Sequence, residues 1–158
     1  MNTAPYFHLV LQPDLGVVST IRRFTNDLYQ RVLDRELAGR LALATHEVLE
    51  NAISYSNGRE TELRIDIEGD EVNLRTWNHA DPERIEAIKD GIDHLMAAAD
   101  PDAYYQECIS VSYQRTDGGS GLGLARIRNE ADMSLSYEID RDRVCIRATT
   151  KLVGGLRA

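Results

Sequence analysis

The sequence predicts an α+β fold, a two-layer sandwich whose mixed, mostly antiparallel sheet is covered on one face by helices. Two observations predict it. Apolar residues recur every three or four positions through the early chain, as helices require, whereas alternating apolar and polar residues come later, as hairpins. Helices followed by hairpin-paired strands build a segregated two-layer domain, unlike the regular strand–helix alternation of a parallel sheet. With 158 residues, the chain is long enough to bury roughly two thirds of its unfolded surface without disulfides or a structural metal. Residues 1–153 are read as a single domain and residues 154–158 as a frayed tail.

Each element follows from its local pattern. Tyr6 to Leu11, aromatic and aliphatic and bounded by Pro13, reads as a first strand. From Asp14 the period changes: Leu15, Val18, Ile21, Leu28 and Val32 mark one helical face, and Arg22, Arg23, Asp27 and Arg31 the other, so a helix is expected to about Leu33. Asp34 to Glu36 is the hinge into a second helix with Leu37, Leu41, Ala44, Val48 and Ala52 on its apolar face. That helix should end near Tyr55, because Ser56-Asn57-Gly58 tolerates a left-handed cap. Leu63, Ile65 and Ile67, then Val72, Leu74 and Thr76, alternate with polar residues on either side of Gly69-Asp70, which predicts a hairpin with one wet face.

Asp81-Pro82-Glu83 starts another helix, with proline in the first turn and acids at the positive end of the dipole. Ile85, Ile88, Ile92 and Leu95 continue it, and Ala97 to Pro101 stops it. Tyr104 to Tyr113 has a pattern that selects no element. A short helix from Leu122 to about Glu130 follows. Two strands close the chain, Met133 to Ile139 and Val144 to Thr150, joined by the charged turn Asp140-Arg141-Asp142-Arg143.

Composition narrows the function classes. A formal charge of −8, from 18 basic and 26 acidic residues, repels polyphosphate backbones and argues against a dedicated nucleic-acid binder. No apolar stretch approaches the length needed to span a bilayer, so a cytoplasmic protein without membrane partners is expected. Cys108 and Cys145 have no paired spacing and read as reduced, packed residues. His8, His46, His79 and His94 share no metal-ligand spacing.

Two motifs carry chemistry. Gly118-Gly119-Ser120-Gly121-Leu122-Gly123-Leu124-Ala125 is a glycine-dense turn running into a helix, where backbone N–H groups can approach an anion; by itself such a turn is more often a flexible connector. Upstream, Glu47 and Asn51 lie four residues apart on one face of the second helix. The carboxamide of Asn51 offers a hard oxygen to Mg2+, and the Glu47 carboxylate can take a proton from an attacking hydroxyl. The plainer reading of this pair is a solvated helix face.

In their order and spacing these motifs resemble the ATP-binding superfamily of gyrase, the large heat-shock chaperone, histidine kinases and mismatch-repair ATPases. The form Glu47-xxx-Asn51-Ala52-Ile53, without a phosphoacceptor helical hairpin, is most similar to the small bacterial anti-sigma-factor serine/threonine kinases and their partner-switching relatives. The resemblance spans nearly the whole chain and implies the Bergerat ATP-binding fold. It makes Glu47 the general base, Asn51 the Mg2+ ligand, and Gly119, Ser120, Gly121, Leu122 and Gly123 the turn that closes over the triphosphate of ATP. The family's first glycine motif, Asp-x-Gly-x-Gly at a strand end, is degenerate here: the chain reads Thr76-Trp77-Asn78-His79-Ala80-Asp81-Pro82. Asn78 is the positional match for the adenine-binding aspartate, and Asp81 is the other candidate but suits a helix cap better.

The resemblance therefore implies an ATP- and Mg2+-dependent serine/threonine protein kinase or anti-sigma-like regulator. Its partner would be a small antagonist (STAS-like) protein or a sigma factor, and a homodimer is compatible with it. The alternatives are a non-catalytic protein-binding module that has lost its adenine contact, and a detached histidine-kinase catalytic domain. Among the remaining residues, Trp77 reads as packing or an adenine stack, and Arg126 and Arg128 as solvated unless one reaches a phosphate. Tyr104, Tyr105 and Tyr113 read as packing or as partner anchors.

Overall fold

The computed structural model describes residues 4–112 and 122–152. It contains β1 (Phe7–Leu11), a 3₁₀ turn (Leu15–Val17), α1 (Val18–Gln30), α2 (Arg35–Tyr55), β2 (Thr61–Glu68) and β3 (Glu71–His79). These are followed by α3 (Pro82–Ala97), α4 (Pro101–Ser112), α5 (Leu122–Asn129), β4 (Ser134–Asp140) and β5 (Arg143–Lys151). The five strands form one sheet in the order β1-β2-β3-β5-β4. Every pairing is antiparallel, so the sheet is uniform where a mixed one was expected. β2–β3 and β4–β5 are tight hairpins, the return through α1 and α2 lays β2 antiparallel beside β1, and β4, at the far edge beyond β5, runs in the same direction as β3.

Register decides which side chains meet the helices. In β3, Thr76 stands opposite Leu63 of β2 and Ile146 of β5, and Asn78 stands opposite Val144. These positions share a face with Ile65, Leu74, Val72 and Ala148, all buried in the core. β3 lies at the centre of the sheet and α2 packs on it, so the last polar residues of β3 point into the layer between sheet and helices. Leu41, Ala44, Val48, Leu49 and Ala52 of α2 are fully enclosed, each large one worth about 1.5–3 kcal/mol in removed apolar surface.

The helix ends differ in small ways from the sequence expectation. Asp34 caps α2 by accepting from the Leu37 N–H at 2.9 Å, which places Arg35 and Glu36 inside the helix and reduces the hinge to a cap. Leu15 was assigned to the apolar face of the first helix but is exposed. It sits in the 3₁₀ turn, whose three-residue period does not carry the helical stripe backward. The buried stripe of α1 runs instead through Val18, Thr25 and Tyr29, and Tyr29 shares a 2.8 Å hydrogen bond with Thr45 of α2. Gly58, at φ +100°, makes the left-handed turn expected after α2. The unassigned segment after Pro101 is helix α4, whose first turn is capped by Asp100 accepting from the N–H groups of Asp102 and Ala103, both at 3.1 Å.

The other face of the sheet carries charge. Arg64 and Arg75 both donate to Asp66, at 2.9 Å to Oδ2 in each case, and Trp77 lies between Arg75 and Arg143, at 5.3 and 5.5 Å from its ring centre. Burial pushes the Asp66 carboxyl up, but the two arginine hydrogen bonds outweigh it and hold it below its ordinary value of 3.8. A depressed folded-state value means the unfolded chain binds the proton first, so Asp66 adds stability above about pH 4 that is lost as pH falls through its folded value. Thermal melts taken from pH 7 down to pH 2.5 are expected to show an acid-side drop that is smaller in Asp66→Asn. An identical drop in the two proteins would assign it to other carboxylates.

Candidate functional site

Helix α2 carries the two residues singled out in the sequence, but they are not a solvated pair. Glu47 is buried, its side chain only 7% exposed, because its position on the helix faces α5 as well as the sheet layer. Its Oε1 accepts from the Arg126 guanidinium of α5 at 3.2 Å. Arg126 was read as solvated or phosphate-reaching; the structure instead uses it as the counter-ion of Glu47, bridging 79 positions of sequence. Burial alone lowers the Arg126 guanidinium, and its interactions with Glu47 and neighbouring Tyr105 more than offset that. Tyr105 in turn donates to Glu130 at 2.7 Å.

The start of α5 touches the same carboxylate. Gly123 lies so close to Glu47 that a Cβ placed there would stand 2.6 Å from Oε2, closer than side-chain carbons approach. Leu122, one residue earlier, is buried. Gly118, Gly119, Ser120 and Gly121 fall outside the described residues.

Four polar atoms of the site, one on α2 and three on the facing strand β3, are unpaired among the described residues. Asn51 Oδ1, Thr76 Oγ1, and both Oδ1 and Nδ2 of Asn78 are buried without a hydrogen-bond partner among the described residues. Asn78 is 1% exposed. A buried carboxamide with both edges unmet costs free energy in an otherwise apolar layer, and native proteins leave such groups unmet chiefly where a ligand or ordered water meets them. The donor and acceptor of Asn78 match the paired acceptor and donor on the edge of a purine. The free Asn51 oxygen suits a hard cation or a phosphate-bound water. The donor set therefore fits a magnesium-bound nucleotide.

The other sequence candidates find structural places. Asp81 stands at the N-cap of α3, although its side chain makes no capping hydrogen bond. Arg128, expected to be solvated, donates to the carbonyl oxygens of Leu95 and Ala98 and so closes the C-terminal end of α3. Trp77 packs on the charged face of the sheet, away from the Thr76–Asn78 side, which removes it as an adenine stack. Tyr104 and Tyr105 pack against the core, whereas Tyr113 is outside the described residues. His46 lies 2.9 Å from Glu50 on the outer side of α2, and no metal-binding cluster of His, Cys, Asp or Glu occurs among the described residues. Cys145 is buried, its thiol pushed up to about 11 chiefly by burial, and Cys108 is half-buried; both are free. No described helix is long and apolar enough to cross a membrane.

An antiparallel sheet layered against a helix that bears a buried Glu and an Asn, with unmet polar groups on the facing central strand, is an arrangement that suits an ATPase-type domain. The sequence profile of the histidine kinase-like ATPase domain matches residues 11–150, and the chain belongs to that family. Its fold is similar to a chain in the crystal structure of the SiaB–SiaC complex from Pseudomonas aeruginosa, with a TM-score of 0.64 and 15% identity. That similarity covers 90% of this chain and 88% of the other. No curated protein matches this chain significantly.

Proposed function

We propose that this domain is an ATP- and Mg2+-dependent serine/threonine protein kinase or anti-sigma-like regulator that binds and phosphorylates a small antagonist protein in a partner-switching pathway. The observation that carries the reading is Asn78, a buried carboxamide at the end of the central strand with both hydrogen-bonding edges unmet among the described residues. Its oxygen accepts from the adenine amino group in place of the family's aspartate. Asn51 holds Mg2+ through its free oxygen, and Gly119 to Gly123 supply the backbone that cradles the phosphates. Mg2+, when bound, neutralises charge developing on the phosphate oxygens. Glu47 accepts the proton of the incoming hydroxyl, which suits transfer to serine or threonine better than to histidine.

Partner binding is part of the same reading. The similar structure named above is a complex of two proteins, which supports a protein partner; in this reading that partner is a small STAS-like antagonist or a sigma factor, met in the cytoplasm. In this reading residues 1–153 form a single domain that works alone or as a homodimer.

The missing glycines after Asn78 favour a second reading, a binding module without nucleotide, since His79 and Ala80 lack the backbone freedom of the family's turn. A melting series with MgATP separates the two. Ligand that binds only the folded state stabilises it by about 2.7 kcal/mol at a hundred times its dissociation constant, so a rising melting temperature across the micromolar to millimolar range is expected. A flat series at millimolar MgATP would leave the binding-module reading.

A further inference from the structure

We propose that Arg126 is the positioning residue of the Glu47 carboxylate, so that the two oxygens of Glu47 have different tasks: Oε1 is the anchor and Oε2 the proton acceptor. The inference rests on the reading of Glu47 as the general base. Gly123 and Arg126 are three residues apart on α5 and so share one helix face. Each addresses one carboxylate oxygen. Arg126 holds Oε1 at 3.2 Å, whereas Gly123, by having no side chain, leaves Oε2 the room that even a methyl group would take.

The burial of the partners is unequal, and this sets the direction of control. The Glu47 side chain is 7% exposed and the Arg126 side chain 42%, so the carboxylate is the sealed member and needs its counter-charge in place. Tyr105, which donates to Glu130 at 2.7 Å, neighbours Arg126. A base fixed this way meets its hydroxyl in one orientation and loses no rotamer freedom on reaching the transition state. During transfer the hydroxyl oxygen forms its bond to the γ-phosphorus as the bond from that phosphorus to the bridging oxygen breaks. ADP carries off that electron pair, and Oε2 receives the hydroxyl proton.

The test follows ADP formation from MgATP, with water as the acceptor, in wild type, Arg126→Ala and Arg126→Lys. Arg126→Ala is expected to lower kcat at least about tenfold with KM for MgATP within about threefold, because orientation and not ground-state binding is lost. Arg126→Lys should recover part of kcat by restoring the charge. A raised KM with unchanged kcat would make Arg126 a phosphate ligand, and a raised kcat would make it an inhibitory latch; either overturns the proposal. Failure of the enzyme reading itself appears separately, as wild type that forms no ADP. In that case a denaturation cycle of Glu47→Gln, Arg126→Ala and the double variant decides the anchor: coupling of about fivefold or more in the unfolding constant upholds it, and additive effects overturn it.

Discussion

Glu47→Gln is expected to reduce ADP formation from MgATP by about 10²–10⁴-fold, the usual worth of a positioned general base. The substitution keeps the volume of the side chain and a hydrogen-bonding oxygen for Arg126, so the α2–α5 contact survives. It removes the basicity needed to take a proton. MgATP affinity should stay near that of wild type, because the residues assigned to base and cation, Asn78 and Asn51, are untouched. Nucleotide-induced stabilisation measured beside the rate separates the two effects. A variant that binds MgATP normally and turns it over at the wild-type rate would remove Glu47 from the chemistry.

Asn78→Leu is expected to move stability and ligand binding in opposite directions. The position is enclosed on the core side of the central strand, opposite Val144, and its two polar atoms have no partner among the described residues. Replacing them with an apolar side chain of similar size relieves the desolvation cost of unmet groups, about 1–3 kcal/mol. Denaturant unfolding without nucleotide should therefore show a more stable protein. The same change deletes the hydrogen bonds proposed for the purine, so the melting temperature should no longer respond to MgATP. Proteins commonly hold such destabilising groups where a ligand is bound. Lower stability with a retained nucleotide response would mean that Asn78 serves the fold and not the base.

Most of the fold was legible because its cues are local. The strict alternation of Leu63 to Ile67 and of Val72 to Thr76 allowed only a hairpin with one face inward. The proline and acids at residues 81–83 marked the start of α3 within a residue. Two points were not legible. The segment that forms α4 has a weakly amphipathic pattern, and its capping residue Asp100 adjoins Pro101, which reads as a stop as readily as a start. Leu15 matched the helical period but lies in a 3₁₀ turn, where that period does not apply.

The site divided along the same line. Glu47 and Asn51 stood out because four-residue spacing on a helix is a property of the chain itself, as is the glycine run that leads into α5. Arg126 did not stand out. On its own short helix it is one of two arginines with exposed-looking spacing, and only the packing of α5 on α2 turns one of them toward Glu47. The other, Arg128, is turned to the end of α3.

By itself, the sequence determined the element types apart from α4 and the 3₁₀ turn, the two-layer class and the residues able to carry phosphoryl chemistry, since each depends on periods and spacings within a few turns of chain. Only the tertiary structure decided that Glu47 is sealed rather than solvated, that its counter-ion is Arg126, and that Asn78 is buried with both edges unmet among the described residues. Burial and ion pairing arise between elements far apart in the chain, and the antiparallel register of β3 between β2 and β5, with α2 and α5 packed above, sets them.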